Sequence, residues 1–130
     1  MATPVPDKMY GWRARVGYTS PPLTTEVFPY EFYQLVPTGV SLVVTSLAIT
    51  VRSKAEIDQS YDISMKAARE MAAAGCDIIV LGGVPINVSR GQANADQMIR
   101  DLEAELKVKV STSQSAQKKA AKLLGASKVV

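Results

Sequence analysis

Residues 78–81 read Ile-Ile-Val-Leu, four apolar side chains with no polar residue between them. A strand that faces water on one side alternates apolar and polar residues, whereas one that is apolar on both faces has to be covered on both. Such strands belong to parallel sheets with helices packed on each side. This tetrapeptide therefore points to an α/β fold before anything else is read. It runs into Gly82-Gly83-Val84-Pro85, a backbone nearly stripped of side chains. That sequel is either a tight turn or a place where a ligand approaches the main chain closely.

The flanking sequence supplies the rest of such a fold. Residues 13–19 alternate and are rich in β-formers, and Ser20-Pro21-Pro22 is expected to break that strand. Thr24 or Thr25 is a candidate cap for a short helix through Val27, Tyr30, Glu31 and Leu35, with Pro29 in or near its first turn. Pro37-Thr38-Gly39 is a turn, and the β-branched run 40–51 is a second strand. Ser53 is a good N-cap, with Glu56 as its capping-box partner. Ile57, Tyr61, Met65, Ala68, Met71 and Ala72 then keep helical spacing as far as Gly75, a left-handed C-terminal stop. After a third strand at 77–81, Ala95, Met98, Ile99, Leu102 and Leu106 share one face of a helix over 94–106. Residues 107–110 predict a fourth strand, 111–115 a hydroxyl-rich turn, and 116–125 a last helix. Residues 127–130 look like the start of a fifth strand.

Strands alternating with helices give a three-layer α/β fold, flavodoxin-like. It has a four-stranded parallel sheet plus the start of a fifth strand, and helices on both faces. The 130 residues fit one domain, with residues 1–12 as an N-terminal arm and 13–130 as the α/β unit. Net charge is +3, and no basic run is interleaved with aromatics, which argues against nucleic acid as a partner. The absence of histidine removes the commonest general base and most zinc sites. The single cysteine, Cys76, excludes an internal disulfide and fits a reducing compartment. No apolar run is long enough to span a bilayer, and the first residues lack the apolar centre of a signal peptide. A cytoplasmic protein is the expectation.

Ligands of open parallel sheets bind beyond the carboxyl ends of the strands. Three segments meet there in this order of elements. Thr19-Ser20-Pro21-Pro22 follows the first strand, Gly82-Gly83-Val84-Pro85-Ile86-Asn87 the third, and Ser111-Thr112-Ser113-Gln114-Ser115 the fourth. All three are small, hydroxylated or glycine-rich, and their N–H and O–H groups suit a small anion such as a carboxylate. Each also has a plainer reading, as a turn or a helix cap. Neither glycine-rich nor hydroxyl-rich segment matches a phosphate-loop pattern, which argues against a nucleotide-binding flavodoxin-like domain. Cys76 lies before its strand, at the opposite edge, and reads as structural. Arg90 either pairs with an acidic substrate or is simply solvated.

These loops resemble the aspartate/glutamate racemase superfamily, in particular its arylmalonate decarboxylase and maleate isomerase branch. Residues 15–26, RVGYTSPPLTTE, are similar to the opening strand and loop of that branch. Residues 72–91, AAAGCDIIVLGGVPINVSRG, resemble its third strand, catalytic loop and following Arg-Gly. STSQSA (111–116) and LLGASKVV (123–130) look like its hydroxyl-rich turn and the opening of its second domain. The resemblance implies two similar α/β domains with the active site in the cleft between them, this chain being the first.

In the racemases and isomerases each domain supplies one cysteine. The first falls at Gly83 here, where the decarboxylases also carry glycine and keep only the second domain's cysteine. The resemblance implies chemistry without a cofactor: one carboxylate of a small dicarboxylic acid leaves as carbon dioxide from an apolar pocket. The other is held by backbone and hydroxyl donors, and the second domain's cysteine protonates the carbanion. Pro21 matches the first-loop proline at the carboxylate site. Val84 and Pro85 stand where the decarboxylases place a hydroxyl pair, and Pro85 lacks even its N–H. Leu23 stands where the isomerases often carry asparagine.

The substrate-binding set expected is thus Thr19, Ser20, Pro21, Gly82, Gly83, Val84, Pro85, Asn87, Ser111 and Thr112. The function expected is the N-terminal half of a lyase or isomerase of this superfamily, inactive alone. Its expected partners are a small carboxylic acid and a second domain or another copy of the chain. The alternative is a non-catalytic binding or assembly module.

Overall fold

The computed structural model describes residues 10–83 and 91–128. In chain order they form β1 (Ala14–Pro22), α1 (Val27–Leu35), β2 (Val40–Ile49), α2 (Lys54–Ala73), β3 (Ile78–Leu81), α3 (Gln92–Leu106), β4 (Lys109–Thr112) and α4 (Ser113–Leu123). The strands make one parallel sheet of four in the order β2-β1-β3-β4. The chain moves outward from β1 to β2 and then crosses back over β1 to reach β3. Right-handed crossovers then put α1 on one face and α2 with α3 on the other. The expected α/β architecture is the one adopted. The expected fifth strand runs into Val129 and Val130, which lie outside the described residues, as does most of the N-terminal arm.

The core sits between α2, α3 and one sheet face. Gly17, Ile79 and Val110 are register partners on adjacent strands and so point to the same side. With Leu81 they meet Ala68 and Met71 of α2 and Leu102 of α3 in a buried cluster that also takes in Cys76. Arg69 of α2 and Glu105 of α3 form a two-bonded ion pair at the solvent side of that layer, at 2.7 and 3.2 Å. The opposite face is thinly covered. Its Val16, Ile78 and Val80 are half-buried, and neither α1 nor α4 has a single buried residue.

Helix ends follow local chemistry. Ser53 Oγ accepts from the Glu56 N–H at 3.2 Å, the expected cap of α2. Glu56 does not reach back to the cap itself. Its carboxylate accepts from Val51 N at 2.9 Å and from the Thr50 hydroxyl at 2.8 Å. These bonds hold the β2–α2 loop and keep the carboxyl below its usual range, the Thr50 hydroxyl being the largest cause. At the other end Cys76 N bonds Met71 O and Gly75 N bonds Ala72 O, with Gly75 at φ +84. This is the paired closure that a left-handed glycine permits. Ser53→Ala is expected to cost about 1 kcal/mol, read as a lower urea midpoint at unchanged slope.

Several boundaries differ from expectation: β2 ends at Ile49, α3 starts at Gln92, and the run 111–115, expected as a turn, divides between β4 and α4. β1 does not stop at Thr19 but continues through Pro22. Its pairing with β3 ends at Thr19↔Leu81, so beyond that point β1 is bonded on one side only, to β2. A proline is tolerated on such an edge, and the register shifts between Ser20 and Pro22 to admit it. Neither Thr24 nor Thr25 caps α1. Glu26 holds that position without a side-chain bond, and the Thr25 hydroxyl pairs with Ser20 instead. β4 lies two residues later than expected because Lys107, at φ +58, is spent turning out of α3.

Candidate functional site

The strand order reverses between β1 and β3, and there the carboxyl ends of an open sheet leave a crevice. Thr19 of β1 pairs with Leu81 of β3, and Leu81 with Thr112 of β4. The segments after these three strands therefore start from one level of the sheet and share one rim. Within the described residues this brings together Thr19, Ser20, Pro21, Gly82, Gly83, Ser111 and Thr112. Val84, Pro85 and Asn87, and Arg90 with them, lie outside the described residues.

The first and third segments are tied at the switch point. Gly82 N donates both to Thr19 O at 3.1 Å and to Thr19 Oγ1 at 2.9 Å. A Cβ on Gly82 would sit 2.1 Å from Thr19 O and 2.8 Å from two atoms of the Tyr18 ring. The space freed by this glycine is thus filled by the protein's own chain, where the sequence leaves open either a tight turn or the close approach of a ligand. Gly83 is a glycine for another reason: its φ of +98 is a conformation that side chains rarely adopt. It remains half-buried at the mouth of the crevice.

Several of the hydroxyls are engaged internally. Thr19 is 0% exposed, and Ser20 and Thr112 are 2% exposed each. Thr19 holds Gly82, and Ser20 holds Thr25. Thr112 Oγ1 accepts from Ser115 N at 3.1 Å and so caps α4, the plainer of the two readings of that serine-rich run. Pro21 and Ser111 stay half-buried at the rim. The described part of the rim holds no charged side chain, so its polarity comes from main-chain and hydroxyl groups.

Tyr18 was not among the residues that the sequence singled out. It stacks on Phe28 of α1, with centroids 4.1 Å apart. Burial pushes the phenol up, partly opposed by Ser113, so it stays protonated at neutral pH. The sequence signal was available: in β1 it alternates with Gly17 and Thr19, two residues that face α2 and the core. Cys76 is buried ahead of β3, at the far edge of the sheet from the rim, and burial raises its thiol. Among the described residues no group of histidine, cysteine and carboxylate side chains gathers as a metal centre. No described helix is long and apolar enough to cross a membrane.

Three comparisons bear on this rim. A family model described as arylmalonate decarboxylase matches residues 16–130. Among solved structures, the chain is similar to a double mutant of arylmalonate decarboxylase in the liganded form, with a TM-score of 0.71 at 17% identity, covering 86% of this chain and 47% of that one. It is similar to arylmalonate decarboxylase itself, with a TM-score of 0.68 at 19% identity over 85% of this chain and 46% of that one. It is also similar to a maleate isomerase variant from Pseudomonas putida S16 with maleate, with a TM-score of 0.67 at 19% identity over 86% and 49%. At these identities the structural likeness shows the fold. The chain spans about half the length of each of these structures. No curated protein matches it by sequence.

Proposed function

The chain belongs to the arylmalonate decarboxylase family, and from that footing we propose that it supplies the first-domain half of a cleft for a small dicarboxylic acid. The reaction class is cofactor-independent decarboxylation or isomerisation. The observation that carries this reading is the rim at the switch point, where Thr19, Leu81 and Thr112 stand in register beneath three main-chain-rich segments. Main-chain N–H and hydroxyl groups without fixed charge suit an enediolate: they stabilise charge as it develops and leave the ground state less tightly held.

On this reading one carboxylate rests on the rim near Gly83 while the other departs from an apolar setting. The carbanion that remains needs a proton donor with a suitable pKa. Cys76 does not fill that role, being buried at the opposite edge with its thiol raised. The proposal therefore assigns the proton donor to a second domain and expects no turnover from these 130 residues alone. A cytoplasmic setting goes with it, since the lone cysteine is a buried free thiol.

The test is an amide NMR titration of the chain with phenylmalonate and with maleate, alongside turnover assays. Shifts clustered at Pro21-flanking residues, Gly82, Gly83, Ser111 and Ser113, without turnover, are the expected outcome. Shifts at the amino edge of the sheet, or nowhere, overturn the binding site; turnover overturns the assignment of the proton donor.

A second reading, an assembly module, is favoured by one observation. α1 leaves Tyr30 68% and Leu35 85% exposed, and α4 is followed by Leu124, 85% exposed, on a molecule whose sheet is thinly covered on one face. Exposed apolar area of this kind marks contact surfaces. Light scattering decides it: a strict monomer at high concentration removes self-association from the account.

A further inference from the structure

The last helix carries its apolar side outward. Along α4 and its cap, Ala116, Ala120, Leu123 and Leu124 fall on one side at helical spacing. All four are exposed, Leu123 to 89% and Leu124 to 85%. Lys118, Lys119 and Lys122 lie beside this stripe, and α4 holds no carboxylate. Among the described residues none of these three lysines is in an ion pair. An amphipathic helix normally turns its apolar stripe to a core. This one packs on β4 and buries none of its residues.

A matching surface lies on the other helical layer. α2 and α3 leave between them a groove of about 340 Å³, walled in part by Tyr61, Met65, Met98 and Leu102. Methionines adapt to the shape of what they meet. Along α2 the groove runs from Tyr61 to Arg69, about 12 Å at the helical rise, and the 11 residues of α4 span about 16 Å. The layer is also acidic. α2 carries four carboxylates and three cations, and α3 four carboxylates and one cation. At the groove Arg69 is taken by Glu105, whereas Asp101 accepts from the neutral Gln97 amide at 2.7 Å. Its charge is matched by no cation among the described residues.

We propose that α4 of one copy docks in the α2–α3 groove of a second copy, with Leu123 and Leu124 against Met65 and Met98 and the lysines along the acidic wall. The occupant is a second copy because each surface supplies what the other lacks, apolar cover and opposite charge. The two surfaces differ, so the contact is heterologous: every added copy leaves one helix and one groove open until a ring closes. One helix in one groove is a small interface, so the contact is weak, and its charged part is screened by salt. This inference rests on the assembly reading above and names the surfaces it would use.

The experiment is sedimentation of the full chain over a concentration series. The wild-type mass is expected to rise above 14.0 kDa with concentration, without stopping at a dimer, and to rise less as salt is added. Leu123→Glu disables the helix and Asp101→Lys the groove. Both residues are exposed, so neither change disturbs the core. Each variant alone is expected to associate at least about tenfold more weakly, since like charges then face each other. An equimolar mixture of the two is expected to form dimers of one copy each and nothing larger, because the first keeps its groove and the second its helix. Variants that associate as the wild type does, or a mixture that stays monomeric while the wild type associates, overturn this interface and leave the assembly reading standing. A wild type that stays monomeric throughout overturns both.

Discussion

Gly82→Ala is expected to destabilise the chain by about 3 kcal/mol, the upper end of the usual range for forced overpacking. The added methyl has nowhere to go. One of its neighbours is a main-chain oxygen, Thr19 O at 2.1 Å, which no rotamer change can move. Relief requires parting β1 from β3 at the point where the Gly82 N–H is bonded twice to Thr19. Gly17 offers the contrast. A Cβ there meets Met71 Sδ at 2.7 Å, the end of a flexible side chain that can swing aside. Gly17→Ala is therefore expected to shift the urea midpoint far less than Gly82→Ala. Adding Tyr18→Ala to Gly82→Ala removes the ring contacts but not the carbonyl, so only part of the loss is expected to return. Full recovery in the double variant would show that the ring, and not the main chain, sets the limit at this position.

Ile79→Ala carries the second large effect, a loss of about 2–5 kcal/mol from the emptied volume. Ile79 is 0% exposed, stands in an interior strand, and points into the cluster formed with Met71 and Leu102. A neighbouring site sets the scale. Val80, one residue on, points to the thinly covered face and is only half-buried. Val80→Ala removes less buried surface, so its cost is expected to be clearly smaller. Thermal unfolding of the two variants distinguishes them, and equal losses would mean that the second face is as tightly packed as the first.

Patterns set by burial are legible in this sequence, whereas positions that a distant neighbour decides are not. Ile-Ile-Val-Leu announced a covered parallel strand because both of its faces had to be apolar, and β3 is that strand. Ser53 was readable as a cap since its role involves only the next three residues. Pro21 and Pro22 look like breakers in the sequence, because nothing local reveals that β3 ends at Leu81 and leaves β1 an edge there. The same limit governs the rim. The order of elements was enough to place Thr19, Gly82 and Thr112 at one end of the sheet. It could not show that Gly82 is small to admit Tyr18, since those two residues are 64 positions apart and meet only once the strands pair.

The uneven covering of the sheet has a consequence for how the molecule opens. α1 buries none of its residues, so detaching it exposes little new apolar surface and requires little free energy. Its amide protons would exchange with solvent, and its backbone admit a protease, while the α2–α3 side remains closed. Tyr18 loses its stacking partner Phe28 in that opened form, so the order of its ring is expected to follow the docking of α1.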